Sequence, residues 1–504
     1  MSRNALLTTA ILTFLPVSAA FAVVTPEEVW DSWQAMSSSA GQELTVGGSA
    51  RNGDTLDVTD IVITTKDPMG GSASISLDKL SFKDNGDGTV TVLMPESTPM
   101  NLAFPPDDAG TNPGSLKLTL SQQGMSIVAS GSATETAYEF NAPETRITLD
   151  EATDASGTVL DTNAEIVMAD SAGKYVVKQT GEQTLLDYAY SVKSIAVNVT
   201  GQDPNGGAGG TMTLSLADLA VSMNGNVLSP DVMANMAVAL NSGFTTDIGL
   251  GFGAMSMALD VTGPTGQAKF NMDSTGGGID LALSKEKLAY GVSLAGSQIV
   301  VSGPEIPFPQ VEVGLGEFGF KVEMPLLKSD EPQAFAFMTK LVDLTSSEDI
   351  WGLFDPAGTL SREPATFVVD FKGTGLLKQD ITDPSLYVGS VDLPAELDTL
   401  DLTLLQAKAA GADVTANGGL TFDNSDTVTY GGAPKPMGKI TVNIKGVQAL
   451  IDNLIAMGIL TDDDAMGFRM VLATYARPGA GADALVTELE FKDGGFFANG
   501  QQVW

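Results

Sequence analysis

A chain of 504 residues with 43% hydrophobic and 17% charged side chains has the length of about three domains and is too apolar to be disordered. Its 62 acidic against 26 basic residues leave a net charge of -36, which repels a polyanion and argues against a nucleic-acid partner. It contains no Cys and no His, which removes disulfides, thiolate nucleophiles, Ser-His-Asp triads and His- or Cys-ligated metals.

The chain opens with Arg3, an apolar run from Ala5 to Leu15, Pro16 and small residues ending Ala20-Phe21-Ala22. A short positive region, an apolar stretch too short to span a bilayer and an A-x-A site predict a secretory signal over residues 1–22, cut after Ala22. The expected location is the periplasm, with the outer membrane or the extracellular space as alternatives, and the mature chain is expected to have no transmembrane helix. Thr25, Pro26 and Glu28 then spell a capping box, so a helix starts here. Val29, Trp33 and Met36 recur at helical spacing beside Trp30, a face for a core or, alternatively, for a ligand or membrane.

From Leu44 to about Val221 the pattern is almost entirely strand, and one cassette occurs twice. Its first copy, Val58 to Gly86, runs Val58, Ile61, Ile63, the turn Asp67, Pro68, Gly70, Gly71, then Ile75, Leu77, Leu80 and Asn85-Gly86. Its second, Val192 to Gly225, runs Val192, Ile195, Val197, the turn Asp203, Pro204, Gly206, Gly207, then Leu214, Leu216, Leu219 and Asn224-Gly225. Alternation with Gly-rich and Asn-Gly turns predicts an antiparallel meander. Pro105-Pro106, Asn112-Pro113 and Pro143 punctuate the strands.

A second helix is expected from Ser229 to Gly243, with Val232, Met233, Met236 and Leu240 inward, and a third from Glu331 to Leu344 on Phe335, Met338, Leu341 and Val342. Val447, Leu450, Ile451, Leu454 and Ile455 predict a fourth, stopped at Gly458. A fifth follows, capped by Thr461 with Asp462, Asp463 and Asp464 at its positive end. The chain closes as strand, Asp493-Gly494-Gly495, strand. The fold class is mainly β (α+β): large curved antiparallel meander sheets in two related halves, with about five amphipathic helices. After the signal, the regions are 23–190, an N-terminal β-meander with its leading helix, 191–345, a second β-meander with helices, and 346–504, a C-terminal α+β region.

Gly314, Gly316 and Gly319 spell G-x-G-x-x-G, but Phe318, Phe320 and Val322 continue as a strand where a dinucleotide site needs a helix, so a glycine-rich turn or bulge is expected. Asp84 to Gly88 has the residues of a hairpin turn and lacks the closing glutamate of a calcium loop. Gly206, Gly207, Gly209 and Gly210 resemble a calcium-binding β-roll repeat, with Thr211 where its aspartate belongs and no tandem array. Ser171 to Lys174 and Ser284 to Lys287 match S-x-x-K without the companion elements of acylating enzymes.

The block Trp351-Gly352-Leu353-Phe354-Asp355-Pro356, then Leu360-Ser361-Arg362-Glu363-Pro364, then the strand Phe367, Val369, Phe371, carries a different signal. Together with Thr25 to Trp30 and the Asp-Gly-Gly ending, it resembles the bacterial exported family known as domain of unknown function 2125, over most of the mature chain. The resemblance implies a Gram-negative envelope protein of large curved-sheet type, with no functional residues to carry over. Arg362 is one of few cations and is expected to make a structural ion pair with a neighbouring carboxylate.

No catalytic, cofactor-binding or metal-binding residue is assigned, and no cofactor is expected. The leading expectation is a non-enzymatic binding or structural protein of the envelope that holds an apolar or lipid-like ligand or meets an envelope protein partner. Three alternatives stand beside it: an outer-membrane β-barrel, a calcium-stabilised extracellular adhesin and a carboxylate-based glycan hydrolase. A sheet with both faces packed or both polar would remove the leading expectation.

Overall fold

The computed structural model describes residues 23–67, 70–104, 114–132, 134–181, 183–203, 207–382 and 395–504. The signal read over 1–22 lies outside the described residues, as do Pro105-Pro106, Asn112-Pro113, Pro68, Pro204 and Gly206. Strand accounts for 63% and helix for 11%, so the mainly β expectation holds.

Helix α1 (Pro26–Ser39) comes first, then β1 (Glu43–Thr45), β2 (Gly48–Asn52), β3 (Thr55–Lys66), β4 (Ser72–Asp84), β5 (Val90–Leu93), β6 (Ser97–Ala103), β7 (Ser115–Gln123) and β8 (Ser126–Ser132). The longest strands follow: β9 (Glu135–Thr153), β10 (Asp161–Thr180), β11 (Gln183–Gln202) and β12 (Gly209–Val227). Helices α2 (Pro230–Met233) and α3 (Met236–Asn241) lead into β13 (Thr246–Phe252), β14 (Met255–Gly263), β15 (Gly266–Ser274) and β16 (Gly276–Leu283). Next are β17 (Leu288–Ser302), β18 (Val311–Met324), β19 (Gln333–Ser346), helix α4 (Glu348–Trp351), β20 (Ala365–Leu377), β21 (Ala395–Ala409), β22 (Ala412–Asp423) and β23 (Lys435–Lys445). Helices α5 (Val447–Ala456) and α6 (Asp462–Tyr475) precede β24 (Arg477–Pro478), β25 (Ala484–Lys492), β26 (Gly495–Ala498) and β27 (Gln501–Gln502).

The described residues form two compact units, those up to 229 with 248–271, and 230–247 with those from 272 to 504. The boundaries expected at 190 and 345 fall inside β11 and β19, each of which pairs antiparallel with a strand on either side. In the first unit β9, β10, β11 and β12 pair in succession; in the second, β16 to β23 do, with β25 beside β23.

Both cassette copies are hairpins, β3–β4 and β11–β12. Each strand of each copy takes one step of three instead of two between apolar residues: Val58 to Ile61, Leu77 to Leu80, Val192 to Ile195 and Leu216 to Leu219. The register explains the step. Pro143 of β9, Asp170 of β10, Lys193 of β11 and Asp218 of β12 stand opposite one another in one row, and Asp170 and Asp218 adopt left-handed backbone (φ 50° and 51°). A left-handed residue bends a strand and shifts its alternation by one, so Met212, Leu214 and Leu216 before Asp218 and Leu219, Val221 and Met223 after it share a face. Aspartate tolerates this conformation better than most residues. Asp60 (φ 53°) marks the same crease in β3, where a Cβ on Gly47 would lie 2.6 Å from its Cβ. In the second unit the row is Gly296, Gly316, Asp343 (φ 54°) and Thr366, whose hydroxyl accepts the Asp343 amide at 3.3 Å.

The first unit has a closed core. Helix α1 is held by the expected box, Thr25 Oγ1 accepting the Glu28 amide and Glu28 accepting the Thr25 amide. It lays Val29, Trp30 and Trp33 on Val58, Ile61, Leu80 and Phe82, and both indoles meet the Phe82 ring at 5.7 and 5.5 Å. The tryptophan face is therefore core.

Two expected helices are corrected. Residues 333–346 form strand β19: Phe335, Phe337 and Leu341 line one face, and pairing with β18 and β20 overrides the helical spacing of Phe335, Met338, Leu341 and Val342. The helix expected from Ser229 to Gly243 is two short ones, because Asn235 leaves helical backbone and its side chain accepts the Val238 amide as a new cap; Met236 is exposed instead of inward. Helices α5 and α6 lie where expected, with Gly458 in left-handed backbone after the first and Thr461 capping the second. The three glycines of G-x-G-x-x-G lie inside β18, with Gly316 on the crease.

Candidate ligand-binding face

Strand alternation gives the second unit one polar and one apolar face. On the polar face Lys287 meets Glu323, Lys340 meets Glu317, Lys372 meets Asp401 and Lys439 meets Glu488, at 3.0, 2.5, 3.6 and 3.1 Å. Exposed pairs of this kind add little to stability. On the apolar face the register aligns Tyr290, Val322, Phe337, Phe371 and Leu402 across five strands. Rings from four of these strands form a ladder. Tyr290 and Phe320 lie 6.2 Å apart, Phe320 and Phe337 5.7 Å, and Phe337 and Phe371 5.3 Å, the last pair stacked. Phe335 extends it over Gly373, where a Cβ would come within 2.6 Å of the ring. An open groove of about 510 Å³ is centred on Leu400, Leu420 and Gly438, which continue the Phe335–Gly373 row.

Every ring of the ladder is half-buried. The first unit shows what covering does to a similar arrangement. There Tyr138, Tyr175 and Tyr188 form a row with ring separations of 6.3 and 6.5 Å, and Phe140 and Tyr190 form another at 6.3 Å. Helix α1 reaches this face at Tyr138, which is fully buried and donates its hydroxyl to Ser32 Oγ on α1 at 2.9 Å; Phe140 and Tyr190 are buried as well, while Tyr175 and Tyr188 are half-buried. Burial pushes the Tyr138 phenol up to about 12 despite that hydrogen bond. Among the described residues of the second unit, Leu240, Leu326 and Leu327 form a small buried apolar cluster with Leu283 and Leu288 beside them, and Leu360, Leu377 and Ile451 are buried outside it.

A buried hydroxyl lies on the apolar face. Ser297 follows the crease residue Gly296, is 6% exposed, and has no hydrogen-bond partner for its hydroxyl among the described residues. Its counterpart in the first unit, Ser171 after Asp170, is approached by the Tyr190 hydroxyl at 3.5 Å.

The Trp351 block is a clamp at the end of β19. Arg362 lies 4.4 Å over the Trp351 ring, pairs with Asp355 at 2.5 Å and donates to the carbonyls of Leu360 and Asp355. The expected structural ion pair of Arg362 is thus made with Asp355, whose side chain is buried. Burial alone would raise the Asp355 carboxyl, but the amides of Leu360 and Thr359 and the guanidinium outweigh it and hold the group down to about 2. Of the S-x-x-K pairs, Ser171 lies in β10 and Ser284 makes a turn with its amide on the Lys287 carbonyl. Asp84 to Gly88 is a hairpin turn, with the Gly86 amide on the Asp84 carboxylate. No cluster of His, Cys, Asp or Glu suited to a metal occurs among the described residues.

Residues 261–502, which hold both the Trp351 clamp and the aromatic ladder, match the family model described as "Uncharacterized protein conserved in bacteria (DUF2125)". The segment Thr25 to Trp30 lies outside the matched residues. No curated protein and no solved structure matches the chain.

Proposed function

We propose that this chain is an exported, non-catalytic protein of the bacterial envelope, acting in the periplasm, that holds an apolar, lipid-like ligand against the aromatic face of its second unit. The observation that carries the reading is the contrast in cover: in the first unit Tyr138, Phe140 and Tyr190 are buried and Tyr175 and Tyr188 half-buried, whereas in the second every ring of the ladder is half-buried. A contiguous apolar surface left open to water is the mark of a binding surface. The polar face, with its ion pairs, keeps the same strands soluble on the other side. Among the described residues no helix is long and apolar enough to cross a membrane.

The test is native mass spectrometry and lipid extraction of the protein purified gently from the periplasmic fraction. A near-stoichiometric apolar molecule is expected on the natural chain and is lost from a folded variant carrying Phe320→Lys and Phe337→Lys. A protein that emerges empty, or a variant that keeps its ligand, overturns the reading.

A further inference from the structure

Helix α6 breaks the rule that apolar side chains of a helix face inward. Met466 and Met470, four residues apart, are each 66% exposed on one flank. Phe468, Val471 and Tyr475, at spacings of three and four, are 58%, 54% and 39% exposed on the other. Only Ala465 is fully buried. A helix apolar on both flanks is stable in water only if something else covers it.

This exposure is not a frayed end. Thr461 caps the helix, with its hydroxyl accepting the Asp464 amide, and Arg469 reaches back to α5 through Asp452 at 2.5 Å and Gln448 at 3.1 Å. At the far end the Tyr475 carbonyl accepts the Thr487 hydroxyl and the Asn499 side-chain amide. The helix is a fixed platform, and its methionines suit an adaptable contact surface.

Charge selects among the possible covers. Asp462, Asp463 and Asp464 stand exposed at the start of α6, Asp452 lies beside it, and its one cation, Arg469, is occupied. Helices that lie in a bilayer surface carry lysine and arginine on the polar face, the opposite of this arrangement. A second copy would bring a second net charge of -36 against the first. We propose that α6 is the docking surface for a different protein whose contact patch is apolar and rimmed by lysine and arginine. This surface rests on observations separate from those for the ligand-binding face.

The experiment places a photo-crosslinking residue at Val471 or Met470 of the full chain in intact cells, with Ser293 on the polar face of β17 as the control position. One discrete protein adduct is expected from both helix positions and not from the control, and its crosslinked peptide should map to an apolar patch flanked by basic residues. With that protein purified, Met470→Ser plus Val471→Ser weakens binding at least tenfold. Asp462→Asn, Asp463→Asn and Asp464→Asn together weaken it severalfold at low salt and little at high salt. Adducts to phospholipid or to a second copy, a mapped patch without basic residues, binding indifferent to these changes, or no adduct above the control would each overturn the proposal.

Discussion

In the first unit, the rings Tyr138, Phe140 and Tyr190 are buried in one core with a fourteen-residue helix, while Tyr175 and Tyr188 stay half-buried at its margin. In the second, a comparable ladder stays half-open, and the helices that follow it stand elsewhere: α5 packs on β22 and α6 packs on α5. The difference teaches that the meander supplies an apolar face by default, because every strand alternates, and that the sequence between the strands decides whether this face becomes structure or surface.

The sharpest test of that contrast compares Trp33→Ala with Phe337→Ala by urea denaturation. Removing the buried indole should cost about 3–5 kcal/mol, whereas removing the half-open ring should cost about 1 kcal/mol. Equal costs would mean that the second face is as closed as the first. Next in size comes the crease, which both units share. Asp343→Val forces a β-branched residue into left-handed backbone and should destabilise by about 1–2 kcal/mol, while Asp343→Gly should stay within about 0.5 kcal/mol. If both substitutions cost the same, backbone conformation is not what the aspartate supplies. Smaller still is an acid-dependent signal particular to the second unit. The Asp355 carboxyl sits at about 2 in the folded chain, below its ordinary value of 3.8, so the unfolded chain binds the proton more readily. Its stabilising effect is complete above about pH 4 and is lost as the pH falls through 2. Melting curves of the natural chain and Asp355→Asn should therefore differ at pH 7 and converge between pH 4 and 2; a constant gap would exclude the clamp as its origin.

The hairpins, the first helix and the last two were legible in the sequence, because the Asn85-Gly86 turn, a Thr-Pro-Glu-Glu start and a Thr-Asp-Asp-Asp start act locally; the turn expected at Asn224-Gly225 is corrected, since both residues run on inside β12 opposite Asp187 and Leu186 of β11. The crease was legible in principle. Each cassette shows a step of three between apolar residues, at Val58 to Ile61 and at Leu216 to Leu219, with Asp60 or Asp218 inside the step, a signal that simple alternation hides. Strand β19 was misread for a physical reason: Phe335, Met338, Leu341 and Val342 satisfy helical spacing, and only pairing with β18 and β20 settles the matter. The aromatic ladder could not be read, since Tyr290, Phe320, Phe337 and Phe371 become neighbours through register alone. The exposure of α6 was hidden by the ordinary presumption that Met, Phe and Val on a helix point inward.

The row of left-handed residues has a consequence for how such a chain survives before it is fully folded. Strand β10 runs for 20 residues with Asp170 at its midpoint, and β11 and β12 are of similar length. A straight ribbon of that length is a template on which strands of other molecules add edge to edge and whole sheets stack into fibrils. Bent at Asp170 and Asp218, β10 and β12 offer no flat run much longer than about ten residues. Protection against fibril growth is thereby written into single backbone angles, without needing a proline or a lysine on every edge.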